Sequence, residues 1–550
     1  MINTNNVTKN TIEIKRWLDL LNKNPASFFN YIEQDYLTDK DIFNSEKELF
    51  LKGLEYAKEI YGCDEKVALL RIPGRINLLG MHIDHRMGSV NPIATHSLIM
   101  VIQPRTDDKI HIYNCNPIFK PRSFSINEYL PDLKVTDWDG WSKHQLKLRI
   151  QQKKSTDWTN YFQASALYLQ NYIKREGDKH FPELSGFNAV IHSNIPYAVG
   201  LSSSSSLVVG TAMTLMAIND IRLSDQEFID FCGTAEWYVG TRGGKGDHAA
   251  IYIGKKGGIS HISFNPFSVS YVPFPRNYCI ALCNSMISAS KIASALNKFN
   301  AGVANYEIGF KLLRNLFPNY SHKMEYLRDV TPERLNVTES EIYSMIKSLP
   351  EKTTRDELNK QFPENREFWK NIFTTHEEPE KGYWVRDACL FGIAECIRSE
   401  KAVEFLKNGN VLEFGRLMNI SHNGDRVTQI VQKKRVPFRF RAADELLDSL
   451  IEKVSSENDN EVYRLYQQPG WYAMSCPELD ELVDIALETE GVVGARLVGA
   501  GMGGCAAVLI NKNKLNNFIN RVDKFYYKPR NLPLAVEICF PVNGAEFINL

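Results

Sequence analysis

The sequence predicts an α+β protein of more than one domain, on three observations. A chain of 550 residues can bury several large cores, and its length alone suggests two to four domains. Segments of helical period and short β-like runs succeed one another along it without settling into one type. Its composition, 43% hydrophobic and 24% charged, is ordinary for a soluble globular protein.

Residues 11–62 read as helical. Ile14, Trp17, Leu18 and Leu21 recur at helical spacing, and "EKELFLKGLEYAKEIYG" repeats the pattern up to a stop at Gly62. "KVALLRIPGR" reads as a strand running into a turn at Pro73-Gly74, and "HSLIMVIQPR" and "KIHIYNCN" continue in β fashion. "DWTNYFQASALYLQNYIK" returns to helix, and "GFNAVIHSNIP" is a strand ending at Pro196. From residue 207, "LVVGTAMTLMAI" is apolar and too long for a typical strand, so a buried helix is expected. "GGISHISFNP" and "NYCIALCNS" read as strands, and the breaker-rich "NPFSVSYVPFPRN" between them places a domain boundary near 270. Residues 286–316 read as helix. Residues 318–385 are charged and Pro-punctuated, with short helical pieces, and read as an insertion outside the core. Ser475-x-x-Glu478 spells a capping box at the head of "SCPELDELVDIALE". "ARLVGAGMGGCAAVLI" reads as strand, glycine turn, strand.

Several function classes are disfavoured. Lys+Arg and Asp+Glu both total 65, which argues against a nucleic acid partner held by bulk charge. The ten cysteines form no CxxC pair and several sit in apolar runs, a pattern of reduced thiols in a cytoplasmic protein rather than of a zinc site or disulfide framework. "MINTNNVTKNTIEIK" holds no apolar leader core. No run approaches eighteen apolar residues, so no membrane partner is expected.

Four stretches carry chemistry. In "NIPYAVGLSSSSSLVVGTAM" a strand ends at a proline, a glycine permits a tight approach, and five serines precede an apolar helix. A helix start leaves backbone N–H groups unpaired and attracts phosphate, and serine hydroxyls can coordinate Mg²⁺; an over-supplied N-cap is the plainer alternative. In "AEWYVGTRGGKGDHAAIYIGKKGG" Asp247 follows a glycine cluster, and Gly244-Lys245-Gly246 lacks the Ser/Thr that a Walker A loop requires. "GAGMGGC", 499–505, is followed by a strand rather than a helix, so a glycine turn packed close to another loop is expected in place of a dinucleotide fingerprint. "GRINLLGMHIDHRMG", 74–88, is dense in polar groups except at Met81. Clustered beside a strand end, these groups suit a ligand pocket.

In this order the four stretches resemble the GHMP small-molecule kinases, and their galactokinase branch in particular. That branch's signature reads G-R-[VI]-N-[LI]-[LI]-G-E-H-x-D-Y; here it stands as "GRINLLGMHIDH". The likeness extends to "DWTNY", "EFGRLMNISH", "SCPELDELVDIAL" and "ARLVGAGMGGC", covering roughly residues 60–316 and 386–545. It implies a two-domain fold: an N-terminal mixed-sheet domain with a ribosomal S5-like half, and a C-terminal ferredoxin-like α+β domain. The expected organisation is a helical extension at 1–62, the N-terminal kinase domain at 63–270, and the C-terminal domain at 271–550 with its insertion at about 318–385.

The resemblance also implies an ATP-dependent sugar 1-kinase with Mg²⁺. Asp247 and Arg75 take the catalytic positions. Gly200, Leu201, Ser202, Ser203, Ser204 and Ser205 line the nucleotide phosphates. Ser204 and Glu236 would hold the metal. Met81, His82, Asp84, Arg86 and Phe299 lie on the sugar side. An acidic group beside the sugar hydroxyl can accept its proton, and an arginine there can stabilise charge on the phosphoryl group. Two sugar-side positions depart from the family. Met81 replaces a glutamate implied to contact the C6 hydroxyl, and Phe299-Asn300-Ala301-Gly302-Val303 replaces Tyr-x-x-Arg-Arg; His85 also stands for a tyrosine. Removing an anion near C6 suits a substrate that is itself anionic there. Galacturonate, with Arg86 as charge partner, is the first expectation. Galactose with Met81 merely packing, and a non-catalytic sugar- and ATP-binding regulator, are the alternatives. The oligomeric state is left open.

Overall fold

The computed structural model describes residues 11–176, 182–196, 200–288, 292–455 and 460–549, with the side chains of 292–296 set aside. The first ten residues, 197–199 of the serine loop's approach and 289–291 of the expected helix lie outside the described residues.

The first sheet contains β1 (Ile12–Glu13), β2 (Lys66–Asn77), β3 (Pro92–Pro104), β4 (Lys109–Asn114), β5 (Arg122–Ser125) and β6 (Phe187–Ser193), in the order β1-β2-β3-β6-β4-β5. Among the described residues only β4 and β6 run parallel, so the sheet is mixed. Its two faces explain the near-continuous apolar runs of β2 and β3, since a strand covered on both sides has no solvent face to keep polar. Leu69, Ile99 and Val101 pack with Trp17, Leu21, Phe50 and Leu54 from the Ile14–Lys23 and Lys40–Tyr61 helices. Leu70, Ile72, Met100 and Ile102 face the other way, onto the Thr159–Ile173 and Ser203–Ile218 helices. Of the helical extension expected at 1–62, the described residues 11–62 are therefore one wall of this domain. Trp17 Nε1 ties it to the sheet by donating to Val67 O at 3.0 Å.

Pro73-Gly74 is not a turn. β2 runs through it to Asn77 with a register shift between Ile72 and Gly74. A bulge tolerates the missing proline N–H, and the ladder resumes beyond it.

A hairpin of β7 (Gly258–Phe264) and β8 (Phe267–Pro273) follows. The boundary expected near 270 falls inside it, because the breakers Asn265 and Pro266 make only a two-residue turn and the residues after them pair back onto β7. The chain enters its second sheet at β9 (Tyr278–Asn284). A small exposed hairpin, β10 (Thr428–Val431) and β11 (Lys434–Pro437), precedes the rest of that sheet: β12 (Val492–Leu497), β13 (Cys505–Asn511) and β14 (Val536–Cys539). The order is β12-β13-β9-β14, all antiparallel. This is the ferredoxin-like βαββαβ order. The last strand, β15 (Glu546–Phe547), returns to pair with β2 in the first sheet.

The 318–385 segment is more than a surface insertion. Ile342, Tyr343, Ile346, Leu349 and Trp369 are buried in a second core with Tyr306, Leu312, Ala388, Ile393 and Leu447. Its charges lie on the outer faces of amphipathic helices whose apolar sides point inward. The expected capping box at Ser475 is also absent. Pro477 occupies the first helical position, which makes Cys476 the N-cap and takes Ser475 out of register with Glu478. All ten cysteines are free, seven of them buried. Among the described residues no helix is long and apolar enough to cross a membrane.

Candidate active site

Three stretches far apart in sequence meet at the bulge of β2. Past the bulge, Arg75 N–H donates to Leu201 O at 3.1 Å, and Ser206 Oγ donates to Pro73 O at 2.7 Å. These bonds pin the start of the Ser203–Ile218 helix against the strand. Arg75 then reaches Asp247, in the first turn of the Gly246–Ile253 helix. Its Nε lies 2.6 Å from Oδ1 and its Nη2 2.7 Å from Oδ2, a bidentate pair. Its Nη1 donates to Gly200 O at 2.7 Å. Ser202 Oγ donates to the same Asp247 carboxylate. Ser202 is the N-cap of the Ser203–Ile218 helix, in left-handed conformation, and its hydroxyl makes no capping bond. Among the described residues the first-turn N–H groups are thus left without a side-chain acceptor, which suits an incoming anion.

Two glycine segments make this approach possible. Gly200 has φ +88°, and a Cβ there would meet Val498 O at 2.9 Å; Gly499, φ +72°, lies directly against Gly200. The turn at 499–504 therefore packs on the serine loop, as its sequence suggested. Gly200→Ala is expected to lower stability by roughly 1–2 kcal/mol from the left-handed backbone alone. It should also raise the KM for ATP. Thermal denaturation and ATP titration check both.

Glu236 ends the Asp225–Glu236 helix beside the same first turn. Ser205 Oγ donates to it at 3.0 Å, and His248 Nε2 stands 2.6 Å from its Oε2. Burial pulls the His248 pKa down, but Glu236 outweighs it and the pKa is raised. Ser203 and Ser204 are half-buried on the same turn. An oxygen-only set of a carboxylate and serine hydroxyls beside an open helix start fits a hard divalent cation completed by nucleotide phosphates. Lys245 pairs with Asp230, consistent with the failed Walker pattern.

On the sugar side the loop after β2 is gripped by the C-terminal half. Glu395, fully buried in the Val385–Lys407 helix, accepts from the N–H groups of Gly80 at 2.9 Å and Met81 at 3.1 Å. The Met81 side chain is 5% exposed and belongs to the apolar cluster of the second sheet, with Cys279, Leu479, Val483 and Leu497. His82 lies tilted against the Tyr472 ring and faces Asp425. Asp84 Oδ2 accepts from Gly246 N at 3.0 Å, fixing the start of the helix that carries Asp247. Burial pushes the Asp84 carboxyl up, yet the His85 imidazole and the Gly246 N–H pull harder and hold it at about 2. His85 lies against the Tyr306 ring. Arg86 is engaged by Glu307, Nη2 to Oε1 at 3.0 Å. Phe299 is half-buried on the Ile292–Leu316 helix, two turns before Tyr306.

The structure thus brings Arg75, Asp247 and Ser202 into contact, with Ser205 and Glu236 alongside. It places Asp84 under the Asp247 helix and ties Met81 and Arg86 into protein contacts. Sequence reasoning missed His248, although it directly follows Asp247 in "GDHAA". It also missed Glu395, Asp425 and Tyr472, which carry no local signal of a site.

The pattern described as GHMP kinases N terminal domain matches residues 160–255, that of GHMP kinases C terminal matches 457–528, and the Galactokinase galactose-binding signature matches 58–104. A galactokinase of Fusobacterium nucleatum is 28% identical over 491 residues, 89% of this chain and 97% of that one. A galactokinase of Dictyostelium discoideum is 24% identical over 517 residues, 88% and 89% of the two chains. The solved structure of Lactococcus lactis galactokinase complexed with galactose superposes with a TM-score of 0.59 at 22% identity, covering 90% of this chain and 99% of that one; this likeness speaks for the fold. Since the galactose-binding signature and the two GHMP kinase domain patterns follow one another in chain order, and galactokinases align over most of the chain, the protein belongs to the GHMP kinase family, in the galactokinase branch of ATP-dependent sugar kinases.

Proposed function

We propose that the protein transfers the γ-phosphoryl group of ATP to the anomeric hydroxyl of a neutral galacto-configured sugar, with galactose the first candidate. One observation carries the reading: the bidentate Arg75–Asp247 pair joined by Ser202 at an uncapped helix start. In the step proposed, the sugar oxygen attacks the γ-phosphorus, the bond to the bridging oxygen breaks and ADP leaves. Asp247 takes the hydroxyl proton as the new P–O bond forms. Arg75 holds the carboxylate in place from one side while its own position is fixed by Gly200 O. Ser204 and Glu236 would hold Mg²⁺, which when bound supplies neutralisation of triphosphate charge.

Two contacts favour a neutral sugar over a uronate. Met81 is packed in an apolar cluster, and Arg86 is already paired with Glu307. A C6 carboxylate would therefore lack the charge partner expected for it. ADP release assayed across galactose, galacturonate, N-acetylgalactosamine, arabinose and fucose is expected to be fastest with galactose. Faster turnover of galacturonate would overturn the neutral-sugar reading. ATP binding without turnover of any sugar would overturn the kinase reading in favour of a regulator.

A further inference from the structure

We propose that Asp425 is a positioning residue for His82, holding the imidazole with Nε2 protonated so that Nδ1 is left bare as an acceptor for a sugar hydroxyl. This rests on the sugar-kinase reading of the loop after β2. Asp425 ends the Val411–Asp425 helix, is 0% exposed, and places Oδ1 3.4 Å from His82 Nε2. His82 Nε2 and Asp425 Oδ2 are both buried and have no hydrogen-bond partner among the described residues. Two orphaned polar atoms on facing side chains are costly unless the groups serve each other or a ligand.

The remaining contacts fix both groups. Tyr472 lies under the His82 ring with centroids 4.8 Å apart. The His82 backbone has φ +60°, a conformation uncommon for a non-glycine residue. It is held there by the Glu395 grip on the two preceding N–H groups. Asp425 Oδ1 also accepts from Met474 N at 3.4 Å, and Arg496 Nη2 stands 3.7 Å from Oδ2. A carboxylate facing one ring nitrogen selects the tautomer and frees the other nitrogen. Position 81 carries no carboxylate, so the acid on this side of the loop comes from the C-terminal domain.

The test is ¹⁵N imidazole NMR of the full-length protein, with His82 assigned by His82→Gln, alongside kinetics of Asp425→Leu. The expected wild-type signal is the Nε2–H tautomer. In Asp425→Leu that preference should be lost, and the KM for galactose should rise about tenfold, as for one charge-assisted hydrogen bond, with the KM for ATP unchanged. An Nδ1–H tautomer in the wild type overturns the proposal, and this spectrum decides even if Asp425→Leu does not fold. An unaltered tautomer in Asp425→Leu, or equal effects on both KM values, also overturns it. An Asp425-dependent tautomer without turnover of any sugar supports the couple and removes the kinase reading instead.

Discussion

Asp247→Asn is expected to lower kcat by about 10²–10⁴-fold, the range contributed by a positioned proton acceptor, while ATP still binds. The amide keeps the volume of the carboxylate and can still meet Ser202, so the loop geometry is preserved. What it loses is the ability to take the sugar proton and the charge that orients the Arg75 fork. In the proposed arrangement the helix start holds the nucleotide, so ATP affinity should stay within a few-fold of wild type. Single-turnover kinetics and calorimetric ATP titration separate the two effects. A kcat within tenfold of wild type would show that Asp247 orients the hydroxyl without accepting its proton.

Glu395→Ala is expected to cost roughly 3–5 kcal/mol of stability, the range for breaking a buried ion pair by removing one partner. Glu395, Arg398 and Arg496 are all fully buried. The carboxylate meets Arg398, lies 3.4 Å from Arg496 and accepts from Ser421 at 2.8 Å besides holding the loop after β2. Alanine would strand two guanidinium groups in the interior. Burial pushes the Glu395 carboxyl up, but the two arginines outweigh it and its pKa is lowered. The stabilisation is therefore present above the unfolded glutamate range, ~4.3, and is lost as pH falls through the lower folded value. Denaturation of wild type and variant between neutral and acidic pH checks both the size and the narrowing of the gap. Because the same carboxylate fixes Gly80 and Met81, the galactose KM should rise as well.

The serine-loop helix start of the proposed nucleotide side was legible in the sequence because its parts are local. A glycine before serines before an apolar helix specifies a helix start, whereas the glycine cluster before Asp247 gives no sign of the helix that carries it. The sugar side was read only in outline. Its loop was visible, but Glu395 and Asp425 sit more than three hundred residues further on and look like ordinary helix-face residues in "AECIRS" and "SHNGDR". Arg86 read as a free cation because Glu307, its partner, belongs to a helix whose face only tertiary packing sets. The same limit hid the second core: Trp369 and Ile346 occur in short, charged helices, and nothing in their spacing says that four other segments close over them. Pro73-Gly74 misled for a different reason. Turn chemistry and bulge chemistry use the same two residues, and only the continuing ladder to Asn77 distinguishes them.

The strand that carries Arg75 is completed by the far end of the chain. Arg71 of β2 is fully buried and donates to Asn543 O at 2.8 Å, with Glu546 3.1 Å away, and β15 pairs alongside it. During synthesis those partners emerge on the order of 20–100 s after β2, at ribosomal speeds of about 5–20 residues per second. For that interval the nascent sheet presents an open edge along β2 and a buried arginine without its C-terminal partners.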